Sequence, residues 1–172
     1  MIQITLKGGT VKEYQEGISV ADIAKDLSMG LYKAACAAKV NGAVCDLRTV
    51  LHANSEVEIL TFDDPEGKKA FWHTASHVLA QAVKRLYPSA KLAIGPAIEN
   101  GFYYDFDVEK PFLPEDLEKI EAEMKKIVKE GIELNRFELA PQEAMAKLSE
   151  MGEPYKVELA KEHADKGEHI SF

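Results

Sequence analysis

The chain has 172 residues, room for one or two domains each with its own core. Its 46% hydrophobic and 29% charged composition fits a soluble globular protein, and no apolar run approaches the ~20 residues that span a bilayer, so no membrane partner is expected. A net charge of −8 disfavours nonspecific nucleic-acid binding, which depends on clustered Lys and Arg, without excluding a nucleic acid held locally. The start, Met-Ile-Gln-Ile-Thr-Leu, lacks a basic region ahead of a long apolar run, so no secretory signal is expected and the chain is assigned to the cytoplasm. Cys36 and Cys45 form no Cys-x-x-Cys pair and read as reduced, buried thiols.

In chain order, Ile2, Ile4 and Leu6 alternate with polar residues, Gly8-Gly9 makes a tight turn, and residues 11–14 resume an extended pattern. Ser19 reads as a helix N-cap with Asp22 three residues on, ahead of the apolar stripe Val20, Ile23, Ala24 and Leu27. Residues 37–40, the Asn41-Gly42 turn, residues 43–44 and residues 57–60 read as further strands. Hairpin, helix, then more strands is the β-grasp or ubiquitin-like order. Nothing there forms a catalytic constellation, so residues 1–62 read as a docking or recognition module.

The stretch Phe-Asp-Asp-Pro-Glu-Gly at residues 62–67 breaks the pattern and sets the domain boundary, leaving residues 63–172 as a second domain. Residues 69–86 read as a helix with Phe71, Ala75, Val78, Leu79, Ala82, Val83 and Leu86 at helical spacing. Residues 94–106 read as strand, turn, strand, placing Phe102, Tyr104 and Phe106 on one face. Pro114-Glu115-Asp116 starts a helix that Gly131 stops, with Leu117, Ile120, Met124 and Ile127 as its buried stripe. Its Lys119, Lys125, Lys126 and Lys129 interleave with Glu115, Glu118, Glu121, Glu123 and Glu130, the pattern of a solvated face rather than a basic patch. Residues 137–139 read as a strand, 141–151 as a short helix and 155–159 as another strand. A polar stretch then leads to the apolar start at Ile170-Ser-Phe172.

His73 and His77 are the chemical focus, because positions i and i+4 lie one turn apart on the same helix face. A His-Glu-x-x-His metalloprotease helix is excluded, since Thr74, Ala75 and Ser76 supply no general base. A zinc site needs three protein ligands, and His52, His163 and His169 are remote in sequence, so no metal is expected. What remains is either a pair of part-buried imidazoles satisfying local hydrogen bonds or a site without metal.

The His73-x-x-x-His77 helix, the segment Ile-Gly-Pro-Ala-Ile-Glu-Asn-Gly-Phe-Tyr-Tyr-Asp at residues 94–105, and Gly-Glu-Pro-Tyr-Lys at 152–156 together resemble the amino-terminal region of the bacterial threonyl-tRNA synthetase family, end to end and in order. The resemblance implies an α+β protein: a TGS domain of β-grasp fold over residues 1–62, then an α+β editing domain over 63–172 truncated at its C-terminal end. It implies a proofreading role, hydrolysis of seryl-tRNA, because serine differs from threonine by one methyl and enters a threonine pocket at a cost of only about 1–3 kcal/mol. By the same resemblance His73, His77 and Lys156 are the catalytic candidates, Gly95 would allow close approach of the terminal adenosine, and Tyr104 would give a packing surface.

The family completes its editing pocket with a downstream Asp-x-Cys-x-x-x-Pro-His segment that these 172 residues do not contain. A fragment with half a pocket and weak or no deacylase activity is therefore expected. ATP, Mg and Zn are expected only for the parent's catalytic domain, with no cofactor in this chain. The implied partner is the aminoacylated 3′ end of tRNA; the parent would be a homodimer through its catalytic domain and the fragment a monomer. Three alternatives stand beside this: a TGS-containing regulatory or RNA/ligand-binding module, the same two modules ahead of a kinase-like domain, and a free-standing zinc-dependent editing protein.

Overall fold

The alternation of Ile2 and Ile4 with polar neighbours becomes strand β1 (Ile2–Leu6), which pairs antiparallel with β2 (Val11–Tyr14) across the Gly8-Gly9 turn. These observations come from a computed structural model that describes residues 1–166 and 169–172. By internal contacts the chain divides into two units, Met1–Thr74 and Ala75–Phe172.

In the first unit, β3 (Ile18–Ser19) leads into α1 (Val20–Leu27), where the Ser19 side chain accepts from the Asp22 N–H at 3.1 Å, as an N-cap should. Helix α2 (Met29–Ala34) follows, capped by Ser28, then β4 (Ala35–Val40) and β5 (Ala43–Cys45). Asn41 and Gly42 both have positive φ, 50° and 83°, which the tight β4–β5 turn demands. Short β6 (Val50–Leu51) pairs with β3, and β7 (Ser55–Thr61) inserts between β1, in parallel, and β4, antiparallel. The sheet order β2-β1-β7-β4-β5, with α1 burying Val20 and Ile23 among Ile2, Ile4, Ala38, Leu51 and Val57, is the expected β-grasp arrangement.

Helix α3 (Pro65–Leu86) runs from the first unit into the second. It starts earlier than the sequence pattern suggests. Pro65 serves as a helix-opening residue, and Asp64 accepts from the Thr61 N–H at 2.8 Å. Gly67 sits in the first turn because a Cβ there would collide with the Thr61 carbonyl.

In the second unit, β8 (Lys91–Leu92), β9 (Ala97–Ile98), β10 (Gly101–Phe102) and β11 (Phe106–Asp107) form one irregular hairpin. Helix α4 (Pro114–Glu130) ends on Gly131 in the left-handed region at φ 62°. Its Ile120 and Ile127 pack with Ala82, Val83 and Ala90, and Arg85 of α3 bridges Glu123 at 3.1 Å and Glu130 at 2.8 Å. Leu117 does not join the stripe assigned to it; it is 59% exposed and lies outside this cluster. After β12 (Glu138–Leu139) come α5 (Pro141–Glu150), α6 (Pro154–Ala164) and β13 (Ile170–Ser171), which pairs with β12.

Residues 155–159 are therefore helix, not the strand their alternation suggests. Tyr155 and Leu159 are two apolar residues at i and i+4, a spacing that fits either period, and Pro154 at the first helical position decides for the helix.

Candidate functional site

Helix α3 presents His73 and His77 to solvent, while Ser76 between them is buried. The two imidazoles are exposed rather than part-buried, one helical turn apart. Both lie on one face of that helix.

The β8–β11 hairpin builds the second part. Leu92 pairs with Phe106, and Ala93 and Ile94 continue the ladder with Asp105 through bonds of 3.0 and 2.8 Å. Farther out, Ala97 pairs with Phe102. Three residues, Ile94, Gly95 and Pro96, thus face two, Tyr103 and Tyr104, which makes a bulge at the residue that cannot donate a backbone hydrogen bond. There the backbone of Gly95 lies flat against the Tyr104 ring, so closely that a Cβ would stand 2.8 Å from its Cγ and nearer to two other ring carbons. Tyr104 stacks on Phe106 at 4.8 Å and borders a shallow depression of about 590 Å³ lined by residues 104–108, Pro111 and Phe112. Burial, and then the negative charge of Glu153, push the Tyr104 phenol above its usual range.

The third part is the junction of α5 and α6. Gly152 takes the left-handed conformation at φ 69°, with the Gly152 N–H donating to Ser149 at 3.0 Å and the Glu153 N–H to Leu148 at 3.1 Å, the Schellman pattern. Pro154 then opens α6 at once. This leaves Glu153 pointing inward, 3% exposed. Its carboxylate accepts from the Leu92 N–H at 3.1 Å and pairs with Lys84 Nζ at 3.0 Å. Lys84 also donates to the carbonyls of Pro88 at 3.2 Å and Ala90 at 3.0 Å, and Lys91 reaches back to the Gly152 carbonyl at 3.1 Å. Lys156 stands one turn into α6, half-buried. Burial lowers its amine below the ordinary lysine range; Glu153 opposes this and Lys84 adds to it.

Residues 2–61 match the family described as TGS domain. The chain carries a TGS domain. Over all 172 residues it is 60% identical to a threonine–tRNA ligase of Acetivibrio thermocellus, and 59% identical to those of Clostridium tetani and Clostridium botulinum strain Hall. It covers 27% of the length of each of these relatives, matching their amino-terminal part. The TGS domain thus occurs here in the setting of those enzymes, followed by a segment that is similar to theirs throughout.

Of the candidates chosen from sequence, the structure joins Gly95 to Tyr104 by contact, and the charge of Glu153 acts on both Tyr104 and Lys156. His73 and His77 share a face of α3. Glu153 itself was missed, although an acid between a left-handed glycine and a helix-opening proline is a legible sign of a constrained carboxylate. Among the described residues no group of three or more His, Cys, Asp or Glu could hold a metal ion, and no helix is long and apolar enough to cross a membrane.

Proposed function

We propose that residues 63–172, following the TGS domain, form one wall of an ester-hydrolysing proofreading site of a threonine–tRNA ligase, acting on seryl-tRNA. The observation that carries this reading is the identity of about 60% across the whole chain to such ligases, well beyond the TGS domain. The exposed histidine pair and the half-buried Lys156 give it chemical content.

Hydrolysis adds water to the ester carbonyl and breaks the bond to the ribose oxygen. An imidazole of His73 or His77 would orient the water and take its proton as the oxygen attacks. Lys156, when protonated, would face the negative charge that develops on the carbonyl oxygen; a lysine in a half-buried place serves this better than one in bulk water. The proton held by the imidazole then passes to the leaving ribose oxygen, which balances the reaction with no cofactor. Gly95 would let the backbone approach the terminal adenosine, and Tyr104 would support it by packing. Discrimination would come from shape, with threonine's extra methyl excluded where serine fits.

The test is deacylation of seryl-tRNA and threonyl-tRNA by a protein of the relatives' full length and by this chain. Faster loss of serine than of threonine, abolished by His73→Ala, supports the proposal. Equal hydrolysis of both esters counts against it.

A further inference from the structure

We infer that Glu153 is the positioning residue for Lys156: a buried carboxylate, clamped by the Lys84 ammonium and the Leu92 amide, that fixes the charge environment in which the Lys156 amine stands. The inference rests on the role proposed for Lys156 above.

The geometry is unusual for an acidic side chain. Glu153 is one of two buried polar or charged side chains among the described residues, and a buried carboxylate costs stability unless its acceptor sites are filled. Here one oxygen takes the Leu92 N–H and the other takes Lys84, itself tethered to Pro88 and Ala90. Three elements are thereby pinned to a single carboxylate: α3 through Lys84, β8 through Leu92, and the start of α6 through Glu153 itself. Lys156 is three residues on, in the first turn of α6, at the same end of that helix as its N-cap Glu153. Tyr104, the packing residue of the same candidate site, also senses this carboxylate.

The charged groups acting on Lys156 are Glu153, the N-cap of its helix, and Lys84 from α3, and they oppose one another. Burial and Lys84 favour the neutral amine, whereas Glu153 favours the ammonium that oxyanion stabilisation requires. Holding β8 needs only an acceptor for the Leu92 N–H, and holding α3 a polar partner for Lys84. Opposing the neutral amine at Lys156 needs the negative charge.

Glu153→Gln separates these roles, since the amide oxygen can still accept from Leu92. The experiment measures, in this chain, the pH dependence of Lys156 acetylation by dilute acetic anhydride, read by peptide mass spectrometry, with exposed Lys33 as internal control. For Glu153→Gln the Lys156 labelling midpoint is expected to move to lower pH, with several-fold more labelling near neutral pH and no change at Lys33. An unshifted midpoint in a folded variant overturns the inference. If Glu153→Gln does not fold, Lys84→Met is compared with the Lys84→Met, Glu153→Gln double variant, which leaves no orphaned ammonium: the double variant is expected to label Lys156 at the lower midpoint, and equal midpoints overturn the inference. No tRNA is involved. Failure of the proofreading reading therefore shows separately, as deacylation by the longer enzyme that survives Lys156→Ala.

Discussion

The Tyr104 ring occupies the space that a side chain at residue 95 would need. Gly95→Ala must therefore push the ring away, and because Tyr104 also stacks on Phe106, the strain reaches the hairpin base. The expected cost is about 1–3 kcal/mol, typical of overpacking. Urea denaturation of Gly95→Ala, Tyr104→Ala and the double variant checks it. The double variant is expected to lose less than the two single losses combined, and strict additivity would contradict the contact.

Gly67 and Gly30 should respond to alanine in opposite directions. A Cβ at Gly30 finds only Ser28 Oγ at 3.8 Å, so Gly30→Ala is expected to stabilise by about 0.5–1 kcal/mol through helix propensity. At Gly67 the obstacle is the Thr61 backbone, 2.9 Å from the added atom at its carbonyl carbon, which cannot rotate aside. Gly67→Ala is expected to lower the melting temperature despite being helical, and thermal melts of the pair report both signs.

Asp116 should govern part of the acid limb of stability. Its carboxylate accepts from the Leu113 N–H at 3.0 Å and the Tyr87 hydroxyl at 2.8 Å, and pairs with Lys119; these partners, the Leu113 amide foremost, hold its pKa below the usual 3.8. A carboxyl depressed by folding stabilises above its unfolded pKa, and that contribution disappears as pH falls through the folded value. Asp116→Asn should melt lower than the parent at pH 7, and the gap should narrow as pH falls from the usual 3.8 through the lower folded value. A gap independent of pH would show that the charge is not what matters.

The half-buried Lys156 amine carries a cost in stability. Because folding lowers its amine, mainly by burial, the unfolded chain binds the proton more tightly, and the penalty is present below the folded value and fades as pH rises towards 10.5. Lys156→Met is expected to melt no lower than the parent at pH 7, with an advantage that shrinks at alkaline pH, while abolishing proofreading. Marked destabilisation at neutral pH would mean that the ammonium is a structural partner instead.

Much of the fold was legible because local chemistry dictates it. Gly8-Gly9 and Asn41-Gly42 require positive φ, Ser19 caps α1, and Gly131 ends α4, all decided by a few adjacent residues. The misread segments depend on partners far along the chain. Residues 155–159 satisfy both a strand and a helix period, and Leu117 repeats a stripe that the core does not extend to meet. Glu153 was invisible as a site residue because its importance comes from Lys84 and Leu92, both more than sixty residues earlier. The histidine pair was legible as a face of a helix, yet sequence left open whether that face was buried; the structure places both imidazoles at the surface.

The central claim, that this face of α3 works on a mischarged ester, is tested most directly by one rate. Seryl-tRNA deacylation should be compared between a protein of the relatives' full length that carries these 172 residues and its His73→Ala, His77→Ala variant. Loss of the proofreading rate by about 10²-fold or more, with aminoacylation intact, is the expected result. An unchanged deacylation rate in the double variant would contradict the account.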